Sequence, residues 1–181
     1  TCDYVCMRED AELIRDTPGV YALLLGDGVD NHIKHRSAII GADMKPDDQW
    51  RLYDYYLQLF GDSLLVVISG NHDAFTGQLA GVDVVARLSE TRRFCYAPAS
   101  ARVDITVCGV LYDFSIRHQY RYNSNFNMDH TVKRLYDMGD EPFSIGIIGH
   151  HHECCISAFQ RHQVTRWAAR PGSYQRSSPY T

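Results

Sequence analysis

Three short apolar runs, each ending at a glycine followed by residues able to bind metals or protons, constrain this chain more than any other feature. Val20 to Leu25 runs into Gly26-Asp27-Gly28-Val29-Asp30-Asn31, and Leu64 to Ile68 into Ser69-Gly70-Asn71-His72-Asp73. Ile145 to Ile148 runs into Gly149-His150-His151-His152. Unbroken apolar runs of this length, bounded by turn residues, read as strands buried on both faces. Parallel strands of that kind present functional residues at their carboxyl ends. Gly26 and Gly70 permit the tight turn and close approach that a ligand loop needs. Each loop alone has an ordinary explanation, because Gly-Asp and Asn-His are common turn dipeptides and a triple His can be a solvated surface run. Three such units in one short chain are hard to reduce to turns.

The histidine run sharpens the expectation. Neutral imidazole is the commonest transition-metal ligand, and strand residues i and i+2 point to the same side. A short extension of the strand would therefore aim His150 and His152 into one cleft.

Between the runs the periodicity is helical, then alternating. Tyr4, Met7, Ala11 and Ile14 mark an amphipathic helix over Asp3 to Asp16, and Trp50, Tyr53, Leu57 and Phe60 a second one, ended by Gly61-Asp62. Val82 to Ser89 reads as a short helix. Val103, Ile105 and Val107, then Val110, Tyr112, Phe114 and Ile116, alternate around Cys108-Gly109 as a hairpin. Tyr120 to Asn127 reads as a loop, His130 to Met138 as a helix and Gln163 to Ala169 as a last strand. Strands alternating with helices indicate a mixed α/β architecture.

The order Gly-Asp-x-x-Asp-Asn, Gly-Asn-His-Asp and Gly-His-x-His resembles the calcineurin-like metallophosphoesterase superfamily over nearly all of the chain. Arg170-Pro171-Gly172-Ser173-Tyr174 resembles the Pro-Gly-Ser element that follows the last block in many members. The resemblance implies an α/β fold, a two-sheet β-sandwich flanked by helices in four αββα layers, as a single domain over residues 1–181. It implies two divalent metal ions, of manganese, iron or zinc. Asp27 would bridge them, with Asn71, His118 and His150 completing one site and His152 joining Asp27 at the other. His72 would be the catalytic residue at the leaving-group oxygen, as general acid or by stabilising charge there, held in orientation by Asp73. Asp30 and Asn31 read as supporting or turn-forming residues, and His151 and Glu153 receive no ligand role. His32, His35, His130 and His162 match no block and read as surface residues, with His32 and His35 close enough to Asp27 in sequence to touch substrate or complete a metal site. The family's opening Asp-x-His block does not occur before Asp27. The expectation is a chain that begins downstream of that block, with its first strand missing and its end at Ser177 to Thr181 also cut.

What the resemblance implies chemically is metal-dependent phosphoester hydrolysis by a metal-bound hydroxide, with a phosphodiester or nucleic acid as substrate. A phosphomonoesterase, a nucleotide pyrophosphatase and a non-catalytic metal-binding scaffold are the alternatives. The net charge of −4 does not advertise a nucleic-acid binder. Yet no acidic residue follows Glu153, while Arg161, Arg166, Arg170 and Arg176 interleave with Phe159, Trp167 and Tyr174. Arginine with aromatics suits phosphates and bases, and a strand pair with solvated arginines is the plainer reading. The six cysteines lack the spacing of a disulfide framework or zinc site, so buried or reduced thiols in a cytoplasmic protein are expected. No run reaches the length of a membrane span.

Overall fold

The computed structural model describes residues 2–33, 44–139 and 142–176. His35 and the Ser177 to Thr181 end lie outside the described residues.

The first helix, α1 (Tyr4–Asp16), starts where the Asp3 carboxylate accepts a hydrogen bond from Cys6 N, satisfying one of the amides that a helix start leaves free. The strand β1 (Ala22–Leu24) follows. It is shorter than the apolar run that encodes it: Val20 closes a turn onto Thr17 O, and Val20 and Tyr21 are exposed. Helix α2 (Pro46–Phe60) has proline and two aspartates in its first turn and ends at Gly61, whose φ is 55°. That is the expected polarity of a helix, with anionic groups at its positive end. It leads through a 3₁₀ turn (Gly61–Ser63) into β2 (Leu64–Ile68).

Two elements then appear that periodicity did not announce, α3 (Ala74–Ala80) and β3 (Cys95–Ala97). None of the residues of α3 is buried, so it carries no apolar stripe. Between them lies α4 (Val84–Thr91), displaced two residues from the expected span because Asp83 caps it through Ala86 N. The expected hairpin is β4 (Ser100–Val107) with β5 (Val110–Arg117), joined at Cys108 and Gly109, both at positive φ, as a two-residue turn of matching twist requires. Helix α5 (His130–Met138), then β6 (Ile145–Ile148), β7 (Cys155–Arg161) and β8 (Val164–Arg170), complete the described elements.

The strands form two sheets, β1-β2-β3, all parallel, and β4-β5-β6-β8-β7, in which β6 runs parallel to both neighbours. Three apolar clusters give the layer order. Ala11, Tyr53, Leu57 and Phe60 pack from α1 and α2 against Leu64 and Val67 of the first sheet. Val66 and Ile68 meet Ile116, Phe114 and Ile147 of the second sheet. Val132, Leu135 and Tyr136 of α5 cover the far side through Ile148, Phe159 and Ala168. The protein is thus a mixed α/β fold with two sheets packed face to face and helices outside. β2 and β6 lie in the interior of this stack, which is why their sequences read as continuous apolar runs. No helix among the described residues is long and apolar enough to cross a membrane. All six thiols are free, and Cys6, Cys95, Cys108 and Cys154 are exposed rather than buried.

Candidate metal centre

The loops leaving β1, β2, β5 and β6 converge on one point, and two glycines let them do so. Gly26 has φ of 91°, and a Cβ there would strike the backbone of Gly70 and come within 2.8 Å of His118 Nδ1. A Cβ on Gly70 would collide with the Asp27 carboxylate. The interlocked loops are tied by Asp73: its buried Oδ2 accepts from Asp27 N and from Gly70 N, each at 2.8 Å. Asp27 Oδ1 accepts from His72 N at 3.0 Å, which leaves Oδ2 facing the centre.

His118 stands in the middle of the cluster. Its Nδ1 lies 2.6 Å from Leu25 O; a carbonyl only accepts, so Nδ1 is the donor and the neutral ring carries its lone pair on Nε2. That nitrogen lies 3.0 Å from Asn71 Oδ1, 3.1 Å from His150 Nδ1 and 3.2 Å from Asp27 Oδ2. The His118 side chain is only 4% exposed. Four electron-rich atoms therefore face one another with little water between them. A single proton on Nε2 can serve one of them well, whereas a cation serves all four. The donor set, one carboxylate, one amide oxygen and two imidazoles, suits a transition metal of intermediate softness. The residues present fit such an ion.

Protonation follows the same geometry. Burial alone would raise the Asp27 carboxyl, but hydrogen bonds from His118 and His150 overturn this and hold it well below the usual carboxylate range. Burial would lower the His118 imidazole, and the hydrogen bond and charge of Asp27 raise it above its ordinary value instead. Asp73 is pushed up to about 6, by burial first and by the charge of Asp27, against the two backbone N–H donors.

Backbone strain gathers here too. Among the described residues seven non-glycine positions have positive φ, and Asp27 at 55°, Asn31 at 45° and His150 at 67° are three of them. Such conformations cost about 1–3 kcal/mol each and persist where surrounding contacts over-determine them. Asn31 illustrates the cause: it is fully buried, its N–H bonds Gln49 Oε1 at 2.9 Å, and its Nδ2 bonds His72 O at 2.9 Å and Thr76 Oγ1 at 3.0 Å.

Of the residues singled out by sequence, Asp27, Asn71, His118 and His150 come together, and His152 does not. β6 stops at Ile148 and the chain folds into a tight turn, with His151 N donating to Gly149 O at 2.8 Å. The strand alternation that would have aligned His150 with His152 is lost, and His152 is exposed. His72 sits beside the cluster, and its orientation is set differently from expectation. Its Nδ1 donates to Asp30 O at 2.7 Å, while Asp73 holds the backbone of the loops. A backbone carbonyl leaves no trace in sequence, so this anchor could not be read there. His32, which matches no block but stands near Asp27 in sequence, packs edge-on against the His72 ring at 5.0 Å between centroids. His151 Nδ1 lies 3.2 Å from Asn123 Nδ2 of the Tyr120 to Asn127 loop.

The C-terminal arginines weighed as phosphate contacts are engaged within the fold. Arg161 pairs with Asp137 at 2.7 Å, Arg176 pairs with Asp3, and Arg166 lies over the Tyr136 ring at 5.7 Å. Arg170 is 1% exposed and donates to Met128 O at 3.0 Å and His151 O at 3.3 Å. A different basic and aromatic surface adjoins His118. Arg117 and Arg121 lie over Tyr120 at 5.5 and 5.8 Å, Arg121 lies over Tyr122 at 5.2 Å, and Gln119, Tyr120 and Arg121 line an open pocket of about 450 Å³. Sequence inspection attached no binding role to it.

The chain matches no protein-family model, and comparison with curated proteins finds no match.

Proposed function

We propose that this chain is a metal-dependent phosphoester hydrolase of the calcineurin-like metallophosphoesterase type, acting on phosphodiesters and with nucleic acid as the favoured substrate class. The observation that carries the reading is the convergence of Asp27, Asn71, His118 and His150 from four separate strand ends. The helix, sheet, sheet, helix order of the apolar clusters is compatible with the αββα arrangement that the resemblance implies. The basic and aromatic surface after β5 favours a substrate with phosphates and bases.

Asp27, Asn71, His118 and His150 would hold one divalent ion of manganese, iron or zinc, with Asp27 shared with a second. When bound, such ions supply an activated water and neutralise charge on the phosphate oxygens. The Asp27 carboxylate, already ionised across the working pH range, receives a cation without first losing a proton. His118 must give up its proton to ligate, and its raised pKa makes metal uptake weaken as pH falls. His72 is held by its Nδ1 and keeps Nε2 free. In the doubly protonated ring Nε2–H can donate to the leaving-group oxygen, the role of a general acid.

The test separates two neighbours. Asn71→Ala removes an oxygen ligand and lowers metal content. His72→Ala keeps the metal and slows hydrolysis of an activated phosphodiester by roughly 10²–10⁴-fold, as general acid catalysis does. Metal analysis beside turnover reads both. Loss of metal in His72→Ala to the same extent as in Asn71→Ala would contradict the acid role, and metal uptake without any turnover in the parent chain would favour the scaffold reading.

A further inference from the structure

Beside the converging centre lies a second cluster, which adds Asp30 and His32 to the His72 of the proposed reaction. The Asp30 carboxylate, His32 and His72 each offer one ligand atom, and these atoms all lie within 4.8 Å of one another. We infer that Asp30, His32 and His72 form a separate transition-metal site, and that an ion bound there withdraws His72 from proton transfer. The first half stands on the cluster alone; the second rests on the hydrolase reading proposed above.

Three observations give the site its shape. The His72 Nδ1 donates to Asp30 O at 2.7 Å, so the lone pair of the neutral ring is on Nε2, the nitrogen available to an ion. The His32 and His72 rings meet edge-on at 79°, with centroids 5.0 Å apart, close enough for one ion to reach a nitrogen of each. The segment bearing Asp30 and His32 is anchored by Asn31, which bonds Gln49, Thr76 and the His72 carbonyl. The same residue thus holds both halves of the site in register. Asp30 is exposed and the two histidines are half-buried, so an ion can enter from solvent.

Two imidazoles and one carboxylate with an open fourth position is a set that holds zinc. Imidazole nitrogen selects zinc or cobalt over magnesium and calcium, which prefer all-oxygen surroundings. No side chain is common to this cluster and to Asp27, Asn71, His118 and His150, so an ion here needs none of the ligands of the first centre. The consequence for His72 is chemical. A nitrogen whose lone pair is given to a cation cannot also carry a proton, and the ring loses the N–H that a leaving group would receive. Zinc taken up beyond the first centre therefore acts as an inhibitor.

The experiment is a zinc titration of the full chain and of two variants, His32→Gln, which lacks a ligand, and His32→Asp, which keeps one. Bound zinc is measured by equilibrium dialysis, and the His72 ring nitrogens are followed by NMR. The parent chain should bind one equivalent more than His32→Gln at matched free zinc, with a zinc-dependent shift of the His72 Nε2 signal that the variant lacks. Losing a direct ligand should weaken that equivalent by at least the roughly 10–100-fold seen when an outer partner is lost, and His32→Asp should recover most of it. Turnover, taken relative to each protein's own rate at low zinc, should fall with excess zinc in the parent chain and hold steady in His32→Gln. Equal stoichiometry and an unmoved His72 signal in parent and His32→Gln would overturn the site, even if both hydrolyse phosphodiesters. An extra equivalent on His72 in a chain without hydrolysis would uphold the site and sink the hydrolase reading. Zinc bound at His72 with turnover unaffected would overturn the inhibition.

Discussion

Arg170 offers the sharpest test of how the C-terminal strand serves the site. It lies within a tract whose composition suggests phosphate binding, yet its guanidinium is sealed under the loop that carries His150 and His151. Arg170→Ala removes two hydrogen bonds from a charged donor, to Met128 O at 3.0 Å and His151 O at 3.3 Å. Bonds to charged groups are worth about 1.5–3 kcal/mol each. The longer one belongs at the low end, and the ion pair to Glu153 at 3.7 Å adds little because that carboxylate is 45% exposed. Against the loss stands relief of a buried charge whose Nε has no partner. The net cost is about 2–4 kcal/mol, which for a chain of this size lowers Tm by roughly 4–16 °C. Thermal unfolding by circular dichroism measures it, and metal analysis should show weaker uptake, since the freed His151 carbonyl no longer steadies the turn that presents His150. The reasoning is refuted if Arg170→Ala melts within about 2 °C of the parent while binding nucleic acid less tightly, with a flatter salt dependence. That pair of results would mean the guanidinium faces phosphate and not the fold.

Two further outcomes follow from the interlocked loops. Gly70→Ala places a methyl group against the Asp27 carboxylate; overpacking costs about 1–3 kcal/mol, and the variant should lose its tight metal equivalent. Undiminished metal content by elemental analysis would show that the two loops have room to part. Asp73 gives a pH signature in the metal-free protein. Its folded pKa of about 6 lies above the ordinary 3.8, so its favourable contribution is full below about pH 3.8 and is lost as pH rises through 6, a change on the order of 3 kcal/mol. His118, also raised, loses stability in the same direction, so the two must be separated. In Asp73→Asn that component should vanish, narrowing the stability difference between pH 5 and pH 7 in denaturant unfolding with chelator present. A variant with the parent's full pH dependence would assign the effect to His118 alone.

Much of the architecture was legible in the sequence because burial on both faces leaves an unmistakable pattern. Leu64 to Ile68 and Ile145 to Ile148 are interior strands in parallel pairing, and the alternation around Cys108-Gly109 is the hairpin it suggested. Helix α2 shows its buried stripe at Tyr53, Leu57 and Phe60. Elements that bury little were invisible for the same reason: α3 has no buried residue, and β3 is three residues long.

The candidate centre divides along a similar line. Sequence alone determined which residue types stand at strand ends: Asp27, Asn71 and His150 lie in glycine-led loops after apolar runs, a recognisable local pattern, whereas the lone His118 could be named only through the resemblance. Only the tertiary structure decided which of them meet. His118 comes from a hairpin 47 residues beyond Asn71 and 32 before His150, and nothing local to that lone histidine sets it between them. The turn after Ile148 breaks the alternation that would align His152 with His150 and leaves His152 exposed, a backbone rotation that side-chain order does not encode. Arg170 reads as a solvated cation in sequence and is enclosed in space, because burial depends on what the Met128 segment and the His151 loop place against it. His32 reads as a surface residue near Asp27, and its pairing with His72 arises only in space, since Asn31 in a left-handed conformation turns the chain back toward the β2 loop. Hydrophobic periodicity is local and survives in one dimension, whereas ligand geometry is a distance between distant segments and exists only once the chain has closed.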